Sequence, residues 1–132
     1  MVKYLIDTDI ASNFAKNSST SLKLKMLENV NDWAISSVTY HELWRGLMQT
    51  NSEKVEEIVT SFLSNVRVID FDEGDARESG RIHAELIKSG KQIGDSDTLI
   101  AGQAIANHLI LVTNNTKHFS RIKGLQVENW MK

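Results

Sequence analysis

Short apolar runs alternate with longer stretches of helical periodicity along this chain, and that alternation limits the folds open to it. Val2 to Ile6, Trp33 to Ile35, Val66 to Ile69, Leu109 to Val112 and Gln126 to Glu128 read as strands. Between them, apolar residues recur at helical spacing. Ile10 to Phe14 starts one helix, and Leu22, Met26, Leu27 and Val30 mark a second. Leu43, Leu47 and Met48 mark a third, and Val55, Ile58, Val59 and Phe62 a fourth. Two more follow, one through Ala76, Ile82, Leu86 and Ile87, the other through Leu99 to Ile105. Asp72 is expected to cap the first of these two, and Gly90 to end it. Strands alternating with helices predict an α/β domain with a mostly parallel central sheet.

The chain has 132 residues, which predicts a single domain spanning 1–132 with a core of useful size. It has no cysteine, which excludes disulfides and thiolate metal sites. It has no proline either, so element boundaries rest on periodicity alone. The apolar run at the start is short and meets Asp7 at once, unlike a secretory signal. No stretch approaches the roughly 20 apolar residues of a membrane helix, and a cytoplasmic protein is expected. The net charge of −2 lacks the basic excess of many nucleic-acid binders. An enzyme that holds phosphates through bound cations needs less positive charge of its own.

Ligands of parallel α/β folds bind outside the carboxyl ends of the strands. Asp7 and Thr113 each follow a strand directly and are expected at one edge. A carboxylate there suits a hard divalent cation, and equally suits capping of the next helix. Thr39-x-x-Glu42 has the form of a capping box, which gives Glu42 a structural reading. Ahead of the helix at Leu99 stand Asp95, Ser96 and Asp97. Asp95 or Ser96 serves as a natural cap, leaving Asp97 as a surplus acid that the helix dipole favours. Asn114 and Asn115 suit a turn, and also suit neutral oxygen ligation. His41 reads as a surface or half-buried side chain.

Four segments in this order resemble the PIN-domain family, and specifically the VapC toxins of bacterial toxin–antitoxin pairs. They are Tyr4 to Ile10, Ser36 to Leu43, Ile93 to Ala101 and Leu111 to Phe119, with Gly124 to Trp130 as a similar tail. The resemblance implies a three-layer α/β/α fold with a sheet of about five strands. It implies a Mg²⁺- or Mn²⁺-dependent endoribonuclease with Asp7, Glu42 and Asp97 at the first three acidic positions. Asp7 and Asp97 would ligate the metal, and Glu42 would be a further ligand or would orient the attacking water. Thr8, Asp9, Thr113 and Asn115 would support them. Relatives carry an aspartate where Asn115 stands, or a glutamate where His118 stands. Both are non-acidic here, which leaves open whether one metal binds or two. The implied partners are an RNA substrate (structured RNA such as tRNA), a VapB-type antitoxin and a second copy of the chain.

Two other readings fit parts of the pattern. Asp7-Thr8-Asp9 resembles the nucleophile motif of haloacid-dehalogenase-like phosphatases, but the threonine and Gly-Asp segments follow in the wrong order. A non-catalytic, receiver-like α/β interaction module would use Asp7, Thr113 and Lys117, and would leave Glu42 and Asp97 without a role.

Overall fold

The computed structural model describes residues 1–16 and 19–131. Five strands, β1 (Tyr4–Ile6), β2 (Trp33–Ser36), β3 (Val68–Ile69), β4 (Ile110–Val112) and β5 (Val127–Glu128), form one sheet. Its order is β3-β2-β1-β4-β5, and every pairing is parallel. Seven helices are described: α1 (Thr8–Ala15), α2 (Thr20–Glu28), α3 (Ser37–Gln49), α4 (Glu53–Asn65), α5 (Glu73–Ser89), α6 (Asp95–Ala106) and α7 (Thr116–Phe119).

The layers follow from the two-residue period of a strand. On β1, Ile6 joins one buried cluster with Ile10, Met26, Ile35, Leu43 and Leu63. Leu5 points to the other face and joins Ile82, Leu86, Ile100 and Phe119. Val112 and Leu111 divide between the faces in the same way. Helices α1 to α4 thus cover one face, and α5 and α6 the other. This is the three-layer α/β/α arrangement expected. The central strands β1, β2 and β4 are buried on both sides, which is why they read as continuous apolar runs.

Several local expectations hold. Asp72 caps α5 in a reciprocal box with Asp75, and Gly90 ends that helix at a φ of 68°. Others shift. Strand β3 is only Val68–Ile69, because α4 runs to Asn65 with Val66 as its C-cap. Leu43 and Leu47 are buried, but Met48 is 71% exposed, one residue too far round the helix. Leu27, Val30 and Ile87 are likewise exposed although they follow helical spacing.

Helix α6 packs very closely on α5. A Cβ at Gly102 would stand 2.1 Å from Ser79 Oγ and 2.7 Å from the Ser79 backbone, so only glycine fits. That contact holds the start of α6 at the edge of the sheet.

Candidate active site at the carboxyl edge of the sheet

The chain order of the sheet reverses beside β1, which pairs with β2 on one side and β4 on the other. The carboxyl ends of β1 and β4 therefore flank a topological switch point, the usual place for a ligand crevice in such sheets. Asp7 follows β1 there, and its N–H donates to Val112 O at 3.0 Å. Thr113 follows β4 and is fully buried.

Asp7 is both a cap and a member of this edge. Its Oδ1 accepts from the Ile10 N–H at 2.8 Å, closing the first turn of α1. The Thr113 side chain also bonds its carboxylate. Only 4% of Asp7 is exposed. Burial pushes its carboxyl up to about 7, against the two hydrogen bonds that favour the ion, and Asp9 and Asp97 add like charge.

Glu42 does not close a capping box with Thr39. Helix α3 starts three residues earlier than that reading requires, with Ser36 as its N-cap and its Oγ accepting from the Val38 N–H. Thr39 is therefore inside the first turn and completely buried. Glu42, one turn on, accepts instead from the Thr8 hydroxyl of α1 at 2.5 Å. Thr8 Oγ1 also lies 3.0 Å from Thr39 Oγ1.

Asp97 sits in the first turn of α6. Neither Asp95 nor Ser96 caps this helix. Gly94 occupies the cap position, without a side-chain acceptor, and Asp95 is already helical. Asp97 is half-buried, and its carboxyl is raised above the ordinary range, first by burial and then by the charges of Glu42 and Asp9. His118 opposes this shift. Asn115 precedes α7, its N–H donates to Thr113 Oγ1 at 3.0 Å, and its amide lies 2.8 Å from His118 Nδ1. Thr113 thereby links Asn115 to Asp7.

The structure thus brings Asp7, Glu42, Asp97 and Asn115 to one edge, and adds Asp9 as a fourth acid acting on two of them. Among the described residues no three His, Cys, Asp or Glu side chains close into a complete ligand set. The described ion pairs are confined to α5, at Arg77–Glu73, Arg81–Glu78 and Arg81–Glu85. Among the described residues, the acids of the edge therefore have no Lys or Arg in ion-pair contact. An all-oxygen set of uncompensated carboxylates fits a hard divalent cation. Mg²⁺ in particular takes one or two carboxylates and keeps several waters, so a closed protein cage is not required. Sequence reading missed the Thr39–Thr8 contact, which joins two helices and leaves no local signal.

The PIN domain family model matches residues 4–125. The tRNA(fMet)-specific endonuclease VapC of Shigella flexneri is 37% identical over 131 residues, covering 98% of this chain and 99% of that protein. Ribonuclease VapC2 of Haemophilus influenzae is 35% identical over 132 residues, covering 99% of this chain and 100% of that protein. A chain of the DNA-bound VapBC crystal structure from Salmonella typhimurium superposes with a TM-score of 0.92 at 34% identity. That match covers 98% of this chain and 99% of the other.

Proposed function

This chain belongs to the PIN-domain family, among relatives that are VapC ribonucleases of toxin–antitoxin pairs, and from that premise we propose that it is a divalent-cation-dependent endoribonuclease working through Asp7, Glu42 and Asp97. The observation that carries this reading is the mutual electrostatic burden at the sheet edge. Burial raises both Asp97 and Asp7, the charges of Glu42 and Asp9 add to the first and those of Asp9 and Asp97 to the second, and among the described residues no ion pair relieves them. Carboxylates arranged this way would repel a phosphate, and with a bound cation they attract one.

When bound, Mg²⁺ or Mn²⁺ supplies a lowered pKa for water and charge to steady the phosphate oxygens. Asp7 and Asp97 hold the cation, Asp7 from the fixed end of β1 and Asp97 from the first turn of α6. Glu42 is a further ligand or orients the attacking water, with one oxygen engaged by Thr8. Thr113 steadies Asp7 and receives the Asn115 N–H, so Asn115 acts through it as a supporting residue. With neither Asn115 nor His118 acidic, three acids suffice for one well-held ion.

The substrate is RNA, with structured RNA of the tRNA kind favoured by the name of the Shigella relative. The partner is a VapB-type antitoxin, as the VapBC complex of Salmonella suggests for this relative. The 132 residues work as one nuclease domain, as a homodimer, in the cytoplasm. Among the described residues no helix is long and apolar enough to cross a membrane. Family membership sets aside the phosphatase and receiver-like readings.

Asp97→Asn tests the proposal. Asparagine keeps the shape and loses the charge, so RNA cleavage with Mn²⁺ should fall at least about 100-fold, the upper end of what even supporting residues of a metal site cost. Cleavage near the wild-type rate, with the same melting behaviour, would remove Asp97 from the mechanism.

A further inference from the structure

Glu42 stands on α3, yet its carboxylate is held from α1, and the hydroxyls that hold it run back into the core. Thr8 has one hydroxyl proton, and it is directed to Glu42 Oε1 at 2.5 Å, a length suited to a hydroxyl donating to a carboxylate. The 3.0 Å contact between Thr8 Oγ1 and Thr39 Oγ1 then has one possible direction: Thr39 donates and Thr8 accepts. The order is Thr39 to Thr8 to Glu42. Each hydroxyl that accepts becomes a better donor, so the buried end strengthens the bond at the carboxylate. Thr39 is 0% exposed. A valine has the same outline and buries no hydroxyl, so packing alone would favour valine there.

We propose that Thr39, through Thr8, is a positioning residue that fixes which oxygen of Glu42 faces the cation and the attacking water. The proposal rests on the nuclease reading above. Thr39 and Glu42 lie three residues apart on α3, on neighbouring positions of one helix face, and Thr8 bridges the gap between them from α1. Oε1 is thereby engaged and Glu42 presents its remaining lone pairs in one orientation. A freely rotating Glu42 would have to be ordered each time a cation bound, and that cost would appear as weaker binding and slower turnover.

The test compares Thr39→Val and Thr39→Ser by Mn²⁺ titration calorimetry without RNA, and by RNA cleavage with kcat and KM separated. Loss of a supporting partner in a metal site typically costs 10- to 100-fold, so Thr39→Val should weaken Mn²⁺ binding and lower kcat by about tenfold each, with KM little changed. Thr39→Ser keeps the donor and should restore both. In a Glu42→Gln background the Thr39→Val penalty on Mn²⁺ binding should largely vanish, because the two residues act in series. If Thr39→Val does not fold, Thr8→Val with Thr8→Ser as its rescue asks the same question. Wild-type Mn²⁺ affinity in a folded valine variant would overturn the proposal, as would an undiminished penalty in the Glu42→Gln background. A wild-type protein that binds Mn²⁺ but cuts no RNA would instead count against the nuclease reading, and the titration would still judge the role of Thr39.

Discussion

Two aspartates in this protein are almost equally buried, and they do opposite things. Asp75, on α5, is 2% exposed, and Asp7 is 4% exposed. Asp75 accepts from the Asp72 N–H at 2.9 Å and from Asn107 Nδ2 at 2.8 Å, while Asn107 also donates to Gln103 O. That carboxylate ties the start of α5 to the end of α6. Asp7 also accepts two hydrogen bonds, yet its carboxyl is still pushed up to about 7 by burial and by Asp9 and Asp97. Burial of an acid is therefore not what marks the site. The mark is burial together with like charges and, among the described residues, no ion pair to relieve them.

Substitution separates the two. Asp75→Ala removes half of a capping box and the hydrogen bond from the Asn107 amide. The cap contributes about 1 kcal/mol and the lost bond to a carboxylate about 1.5 kcal/mol, so the loss should be about 2–3 kcal/mol. For a chain of this size the melting temperature should fall by about 8 °C, with cleavage by the folded fraction unchanged. A variant that melts like wild type would erase the contrast from the Asp75 side.

Asp7 should behave inversely with pH. Its folded value of about 7 lies above the unfolded 3.8. The stability linked to it is present below 3.8 and is lost as pH rises through about 7, because the folded state holds the proton more tightly. Three pKa units correspond to an upper bound of about 4 kcal/mol, at about 1.4 kcal/mol per unit. In the presence of a chelator, Asp7→Asn should melt above wild type at pH 8 and lose that advantage near pH 4. Parallel pH curves for the two proteins would mean that Asp7 carries no such burden. Because the cation needs the ionised form, Mn²⁺ affinity of the wild type should also rise between pH 6 and pH 8.

The smallest effect distinguishes a glycine of α5 from one of α6. A Cβ at Gly80 would meet nothing within 4 Å, whereas one at Gly102 would meet Ser79 at 2.1 Å. Gly80→Ala should stabilise by up to about 1 kcal/mol, since helical glycine is that much worse than alanine. Gly102→Ala should destabilise and displace α6, and with it Asp97. Calorimetric melts rank the two directly, and equal effects would deny that the α5–α6 contact positions the site.

The sequence makes the α/β class legible because strands buried on both faces leave uninterrupted apolar runs, and because Asp72 and Gly90 punctuate α5 with local chemistry. Membership of the edge was legible at Asp7, Glu42, Asp97 and Asn115 through family resemblance. What escaped was tertiary. Helix α7 has four residues, no side-chain cap and only Phe119 buried, so periodicity had nothing to find. The Thr39-x-x-Glu42 pattern suggested a box only while the start of α3 was unknown. Once Ser36 is the cap, the same spacing puts Thr39 and Glu42 on one helical face. Leu27 and Met48 show the limit of periodicity, which identifies a helix more readily than the width of its buried face.

The most direct test of the account is a thermal melt of wild type and Asp97→Asn, each with chelator and with millimolar Mn²⁺. A cation that binds only the folded state adds about 2.7 kcal/mol at one hundred times its dissociation constant, a shift of several degrees here. Asp97→Asn, relieved of repulsion from Glu42 and Asp9, should melt at or above wild type in chelator and gain much less from Mn²⁺. Identical Mn²⁺-induced shifts in the two proteins would show that Asp97 belongs to no shared cation site, and would contradict the account at its centre.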